Sequence, residues 1–239
     1  HNIPAGFAMR NASGKKVLSL HGIYSEQIAE LHGSLSSKIS KKYENDALNM
    51  ADAITTISKV AYNHYSKMGY NVVQIPHAID LNHIPQKTIK KFENQIIFAG
   101  RLSKEKGIDN MLQAAKSLPP KYHLLILGSG PEEKKVQKIA NEKTNVHYLG
   151  YQSKQNTISL IRGSDLLIQP SIMEGTSSTL LEAMGCGTCI IASNVGGNTE
   201  ILDNDKTGIL IEPNNAEKLL NKISDLLTDN EKRSMIATE

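Results

Sequence analysis

Tryptophan is missing from this chain of 239 residues, and aromatic side chains make up only 5% of it. So few flat rings argue against a stacking platform for single-stranded nucleic acid, and no nucleic-acid partner is expected. Cysteine is scarce as well, with only Cys186 and Cys189. Their C-x-x-C spacing would suit a redox centre at a thioredoxin-like helix start. Here Cys189 runs straight into the strand-like Ile190-Ile191-Ala192, and Cys186 lies between two glycines. The pair reads as two small buried hydrophobes, and two thiols alone make no tetrahedral metal site. This usage fits a reducing cytoplasm. No apolar run approaches membrane-spanning length. No secretory signal is visible either, in a chain that begins at His1 rather than Met. The full G-x-G-x-x-G pattern and the Walker lysine are also lacking, which removes support for dinucleotide and P-loop readings.

What remains is ordinary globular material, 39% hydrophobic and 21% charged. The length suits one large domain or two smaller ones and can bury a sizeable core. Charge is uneven: residues 1–90 carry 10 Lys+Arg against 6 Asp+Glu, and the remainder is close to balanced. A basic first part suits a phosphorylated acceptor or peripheral contact with an anionic membrane. A solvated face around Lys38, Lys41 and Lys42 is the simpler account.

From residue 94 onward, short apolar runs alternate with amphipathic stretches. Strands are expected at 96–99, 123–127, 146–149, 166–168, 190–191 and 208–211. Helices are expected near 107–117, from 131, at 154–162, around Glu182, at 197–202 and at 215–227. Apolar runs without alternation indicate strands covered on both faces. The βα rhythm then implies a doubly wound parallel sheet with right-handed crossovers. Residues 1–75 show less of the same rhythm, with strands at 17–20, 54–57 and 72–75, a long helical stretch over 26–52 and a helix near 59–68. This is expected to be the second half of a doubly wound domain rather than a complete one. Residues 76–91 are polar with two prolines and read as a linker.

Five motifs carry candidate chemistry. Glu174 and Glu182 bracket the run Gly-Thr-Ser-Ser-Thr-Leu-Leu, with the first acid in a loop and the second in the helix that the loop opens. Backbone N–H groups at such a turn suit an anion, and carboxylates suit hydroxyls. Phe98-Ala-Gly-Arg-Leu-Ser-Lys-Glu-Lys-Gly107 sets Arg101 and Lys106 after a strand end, where two cations suit a diphosphate. Leu127-Gly-Ser-Gly-Pro131 is a glycine-rich strand-to-helix turn, either approached closely by a ligand at Gly130 or merely tight. Leu149-Gly-Tyr-Gln152 places Tyr151 to flank a nucleobase, or simply to enter a helix. Ser19-Leu-His-Gly22 ends a strand at His21, a residue type that is more often structural or solvated than catalytic.

The order and spacing of Gly-Arg-Leu-Ser-x-Glu-Lys-Gly, Gly-Ser-Gly-Pro, Leu-Glu-Ala-Met-Gly-Cys-Gly and Ser-Asn-Val-Gly-Gly-Asn-x-Glu closely resemble the retaining glycosyltransferases of family 4. The resemblance implies an α/β architecture of GT-B type. Residues 81–239 would form a Rossmann-like C-terminal domain that binds the nucleotide sugar. Residues 1–80 would be the second half of a Rossmann-like N-terminal, acceptor-side domain. Arg101 and Lys106 match the pair that holds the donor diphosphate, and Glu182 matches the carboxylate on the ribose. Glu174 matches the acid facing the transferred sugar. Gly175, Thr176, Ser177 and Ser178 match the loop near phosphate and sugar. His21 looks like the N-domain histidine near the sugar, and Ser58 falls at a family position of less definite role.

The implied reaction moves a hexose-type sugar from a nucleoside diphosphate donor such as UDP or GDP to a saccharide or lipid-linked acceptor, with retention. No cofactor beyond the donor is expected, and no metal at the site. This chain departs from the family at His77, at Thr188 and at Thr176-Ser177-Ser178. It is expected to lack the first half of the N-terminal domain and the last helices, so donor binding should outlast turnover. The rival readings are a nucleotide-sugar-binding fragment without activity, a sugar-nucleotide epimerase of the same fold and, more weakly, an NAD-type oxidoreductase.

Overall fold

A computed structural model describes residues 3–238 of the chain. The chain divides into two compact units. One comprises residues up to His77 together with Met173–Thr176, and the other comprises Ala78–Ile172 and the residues from Ser177 onward.

The first unit runs α1 (Ile3–Ala8), β1 (Val17–Leu20), α2 (Tyr24–His32), α3 (Ser34–Asn49), β2 (Ala53–Thr56), α4 (Lys59–Lys67) and β3 (Val72–Gln74). Its three strands are parallel, in the order β1-β2-β3. Leu18, Leu20 and Ile54 turn inward from the strands onto Ala47, Leu48, Ala61 and Tyr65 of the helices. The single long helix expected over 26–52 is instead two. Gly33 adopts φ 83°, ψ 171° and ends α2 by donating its N–H to the Ala29 carbonyl at 2.9 Å. A buried polar knot sits within this unit. The Glu44 carboxylate accepts from the Tyr65 hydroxyl at 2.6 Å and from the Tyr24 backbone N–H at 3.1 Å. Burial, and then this bond, push the Tyr65 phenol far above its ordinary pKa.

The second unit holds six parallel strands and the helices between them. In chain order these are β4 (Gln95–Ala99), α5 (Ile108–Lys116), β5 (His123–Leu127), α6 (Glu133–Glu142), β6 (Val146–Gly150), α7 (Lys154–Arg162) and β7 (Leu166–Gln169). There follow α8 (Ser178–Cys186), β8 (Cys189–Ser193), α9 (Asn198–Ile201), β9 (Ile209–Ile211), α10 (Ala216–Thr228) and α11 (Asn230–Thr238). The spatial order β6-β5-β4-β7-β8-β9 is that of the doubly wound Rossmann sheet. Successive residues of β4 serve opposite cores. Ile96 and Phe98 pack with α5, α6 and α10, whereas Ile97 and Ala99 pack with α7 and α8. A strand buried on both faces is apolar without alternation, which is why these runs read as they do. The α/β class with Rossmann-like parallel sheets is thus the one the sequence led us to expect.

Three local features differ from expectation. The polar stretch after His77 contains a 3-10 turn, Leu81–His83, because the Asp80 carboxylate accepts from the Asn82 N–H at 2.9 Å. Helix α11, not foreseen, is held by buried Ile236 and by Arg233, whose guanidinium donates to the Leu226 carbonyl at 2.8 Å. Ser58 is the N-cap of α4, accepting from the Ala61 N–H at 3.2 Å, a structural duty that accounts for it.

Candidate nucleotide-sugar site

Strands β4 and β7 lie side by side in register, Ile97 against Leu167. The helices that follow them, α5 and α8, go to opposite faces of the sheet. That is the topological switch point, where the loops after the strand ends diverge and leave a crevice. A cavity of about 570 Å³ opens there, within the range of small-molecule sites.

Four consecutive features build its walls. After β4 come Gly100 and Arg101, whose side chain is exposed. After β5 comes the glycine-rich turn Gly128–Gly130, tied to its neighbours by Leu102 N–H on the Ser129 carbonyl at 2.9 Å and Gly128 N–H on the Gly150 carbonyl at 2.9 Å. Packing demands both glycines, since a Cβ at Gly128 would stand 1.9 Å from the Gly100 carbonyl oxygen and one at Gly130 2.4 Å from the Leu102 carbonyl oxygen. After β6 come Tyr151, 79% exposed, and then Gln152 and Lys154. Opposite stands the first turn of α8, where the Thr179 hydroxyl donates to the Ala99 carbonyl at 3.4 Å. Glu182 follows one turn later on the same face. Ser177 caps α8 without a side-chain hydrogen bond to its first turn. The N–H groups that open a helix have no acceptor within it.

Of the residues singled out from the sequence, Arg101, Gly130, Tyr151 and Glu182 line this cavity together. Lys106 lies in a 3-10 turn, Lys104–Lys106, outside the lining. Ser177 and Ser178 open α8, the first buried and the second exposed. His21, Glu174, Gly175 and Thr176 belong to the first unit. Within it Gly175 runs so close to the chain at His21 that a Cβ would stand 1.8 Å from the His21 carbonyl oxygen. The His21 imidazole is held below its ordinary pKa by desolvation and then by His77, so it is neutral at pH 7.

Three lining residues, Lys154, Thr157 and Thr179, were not anticipated. Helical spacing could have found Thr179 from Glu182, and Thr157 only once Lys154 was known. Thr179 lies three residues before Glu182, and Thr157 three after Lys154, so each pair shares a helix face. Lys154 brings a second cation, its ammonium 3.6 Å from the Glu182 carboxylate.

The sequence also holds an Asp-x-Asp string, Asp203-Asn204-Asp205. It forms an exposed turn before β9, with Asp203 2.7 Å from the Lys206 ammonium and Asp205 accepting from Asn204 at 2.8 Å. Among the described residues no three His, Cys, Asp or Glu side chains gather as a metal cluster would need. Both cysteine thiols are reduced. Burial raises the Cys186 thiol pKa and pushes that of Cys189 up to about 11, which makes a reactive thiolate at either position unfavourable.

The family model for glycosyl transferases group 1 matches residues 80–239. The chain belongs to that family. An uncharacterized glycosyltransferase of Methanocaldococcus jannaschii is 28% identical, the match covering 98% of this chain and 65% of that protein. The N,N'-diacetylbacillosaminyl-diphospho-undecaprenol alpha-1,3-N-acetylgalactosaminyltransferase of Campylobacter jejuni is 29% identical over 59% of this chain and 38% of its own length. Among solved structures, Anabaena HepE in complex with UDP and glucose superposes with a TM-score of 0.80 at 21% identity, covering 98% of this chain and 67% of that one. At that identity the likeness is one of fold. The chain spans 57–65% of the length of the three M. jannaschii relatives it matches. No helix among the described residues is long and apolar enough to cross a membrane.

Proposed function

We propose that this group 1 glycosyltransferase chain binds a nucleoside diphosphate sugar and serves the transfer of a hexose-type sugar to a saccharide or lipid-linked acceptor, with retention of configuration. The observation that carries the reading is the cavity at the β4/β7 switch point. It joins a cation, a tight glycine-rich turn and a carboxylate, which suit a diphosphate, a nucleoside and a ribose. Arg101 holds the diphosphate, with Lys106 reaching in from its turn, and Glu182 accepts hydrogen bonds from the ribose hydroxyls. Tyr151 and Gly130 flank the nucleoside. Glu174 and the Gly175–Ser178 loop take the transferred sugar, with His21 on the acceptor side.

The chemistry follows from charge. As the bond from the anomeric carbon to the diphosphate oxygen breaks, the carbon becomes oxocarbenium-like and the departing phosphate gains negative charge. Arg101, Lys106 and the N–H groups at the start of α8 stabilise that charge without a metal. The acceptor oxygen bonds to the anomeric carbon on the face the phosphate leaves, and its proton passes to a phosphate oxygen. Neutral His21 can hydrogen-bond a sugar hydroxyl without adding charge.

Titration calorimetry with UDP, GDP and ADP tests the reading. UDP comes first because HepE was solved with it. We expect one of the three to bind; a folded sample that binds none refutes the donor site. Radiolabelled sugar transfer then separates a transferase from a binding fragment or an epimerase, since an epimerase would alter the donor sugar and label no acceptor.

A further inference from the structure

The pair Lys154–Glu182 bears on how the cavity is kept when no nucleotide occupies it. Glu182 is rigid: it sits inside α8, and its side chain is only 14% exposed. Lys154 is not. It is the first residue of α7, anchored at its base by the Ser153 cap, which accepts from the Asn156 N–H at 3.3 Å, while its side chain is 77% exposed. Among the described residues it is the only cation within 4.0 Å of Glu182. Their separation of 3.6 Å exceeds the 2.7–2.9 Å or so of a charge-assisted hydrogen bond. It is a loose pair, which contributes little to stability and can open by motion of the lysine alone.

We propose that Lys154 is a placeholder for the ribose: it occupies the Glu182 carboxylate in the empty cavity and must swing away for the nucleoside to bind. The proposal rests on the assignment of Glu182 to the ribose. A lysine ammonium only donates, and the ribose hydroxyls also reach a carboxylate by donating. The two therefore compete for the same acceptor atoms. The pair also screens a partly buried carboxylate that would otherwise stand alone in the cavity wall, so it deters other cations from settling there. Lys154 is thus a positioning residue whose effect falls on affinity.

An uncharged nucleoside isolates the effect, because without phosphates its binding has no other strong dependence on salt. Wild-type protein, Lys154→Met and Glu182→Gln would be titrated with the nucleoside of whichever diphosphate binds, and with its 2',3'-dideoxy analogue, at low and high ionic strength. In the wild type, added salt should screen the pair and tighten nucleoside binding. Lys154→Met should bind the nucleoside about twofold to fivefold more tightly at low salt, and its salt dependence should vanish. Neither change should appear with the dideoxy analogue, and Glu182→Gln should weaken the nucleoside. Equal affinity and equal salt dependence in wild type and Lys154→Met overturn the placeholder while leaving a diphosphate-binding site intact. Equal effects on the dideoxy analogue overturn it as well. Failure of all three diphosphates to bind sinks both proposals together.

Discussion

The backbone N–H of Ile172 donates to the carbonyl of Glu105 at 2.9 Å, stitching the loop after β4 to the chain leaving β7. Gly107 makes the stitch feasible. It adopts a left-handed φ of 69°, and a Cβ there would stand 1.8 Å from the Pro170 carbonyl oxygen. Both faults fall on Gly107→Ala: left-handed backbone costs about 1–2 kcal/mol for a residue with a Cβ, and overpacking about 1–3 more. We expect a loss of roughly 2–5 kcal/mol in urea unfolding, together with weaker nucleotide binding as the Arg101 loop shifts. Unchanged stability would show that the two loops are not locked here.

Removing Arg101 or Glu182 from the cavity should cost affinity and little else. Arg101→Ala deletes an exposed guanidinium, and Glu182→Ala a carboxylate whose one ion-pair partner among the described residues is Lys154. Each should weaken nucleotide binding by about 1–3 kcal/mol, the range for hydrogen bonds to charged groups. Calorimetry on samples of unaltered circular dichroism reads this out. Full affinity in either variant rejects the role given to that residue.

Much of this layout is legible in the residues. The runs 96–99, 124–127 and 166–168 announce themselves because a sheet covered on both faces calls for apolar side chains without alternation. Arg101 and Glu182 are legible because each follows a strand end or a loop-opened helix start. Lys154 is not, since nothing in Ser-Lys-Gln-Asn marks that α7 begins beside α8; that proximity is a property of the sheet order. The break at Gly33 was missed for a different reason. Ala29, Glu30 and Leu31 before it favour a helix, and one glycine inside such a pattern is often tolerated. Here it takes a φ that no helix allows.

The buried knot in the first unit gives a stability prediction free of any ligand. The Tyr65 hydroxyl donates to Glu44 at 2.6 Å, and lies 3.4 Å from the Gly22 carbonyl, one residue beyond His21. Tyr65→Phe keeps the ring and removes the donor, leaving a buried carboxylate short of one partner. The cost should be about 1–3 kcal/mol, read as a lower calorimetric Tm. A Tm within error of wild type would mean that water replaces the hydroxyl without penalty.

Acidification gives the last test. The imidazoles of His123 and His147 meet at 3.1 Å, and the Phe92 ring stacks on both, with centroids 4.3 Å away. Burial lowers the His147 pKa, and the neighbouring His123 and Lys91 lower it further. The unfolded chain, with an ordinary histidine pKa of about 6.5, therefore takes up a proton before the folded one does. Stability rises with pH wherever the unfolded state binds more protons. The His147 contribution is thus whole above pH about 6.5 and drains away as the pH falls from there through the lowered folded value. His21, depressed by desolvation and His77, acts in the same direction. Urea unfolding of wild type at pH 7.5, 6.5 and 5.5 (about one unit either side of the free-histidine value) should show little change between the first two and a clear fall at the third. His147→Gln, which cannot titrate, should show a shallower fall. Identical slopes would mean that the pair, held under Phe92, takes its first proton as readily as free histidine does.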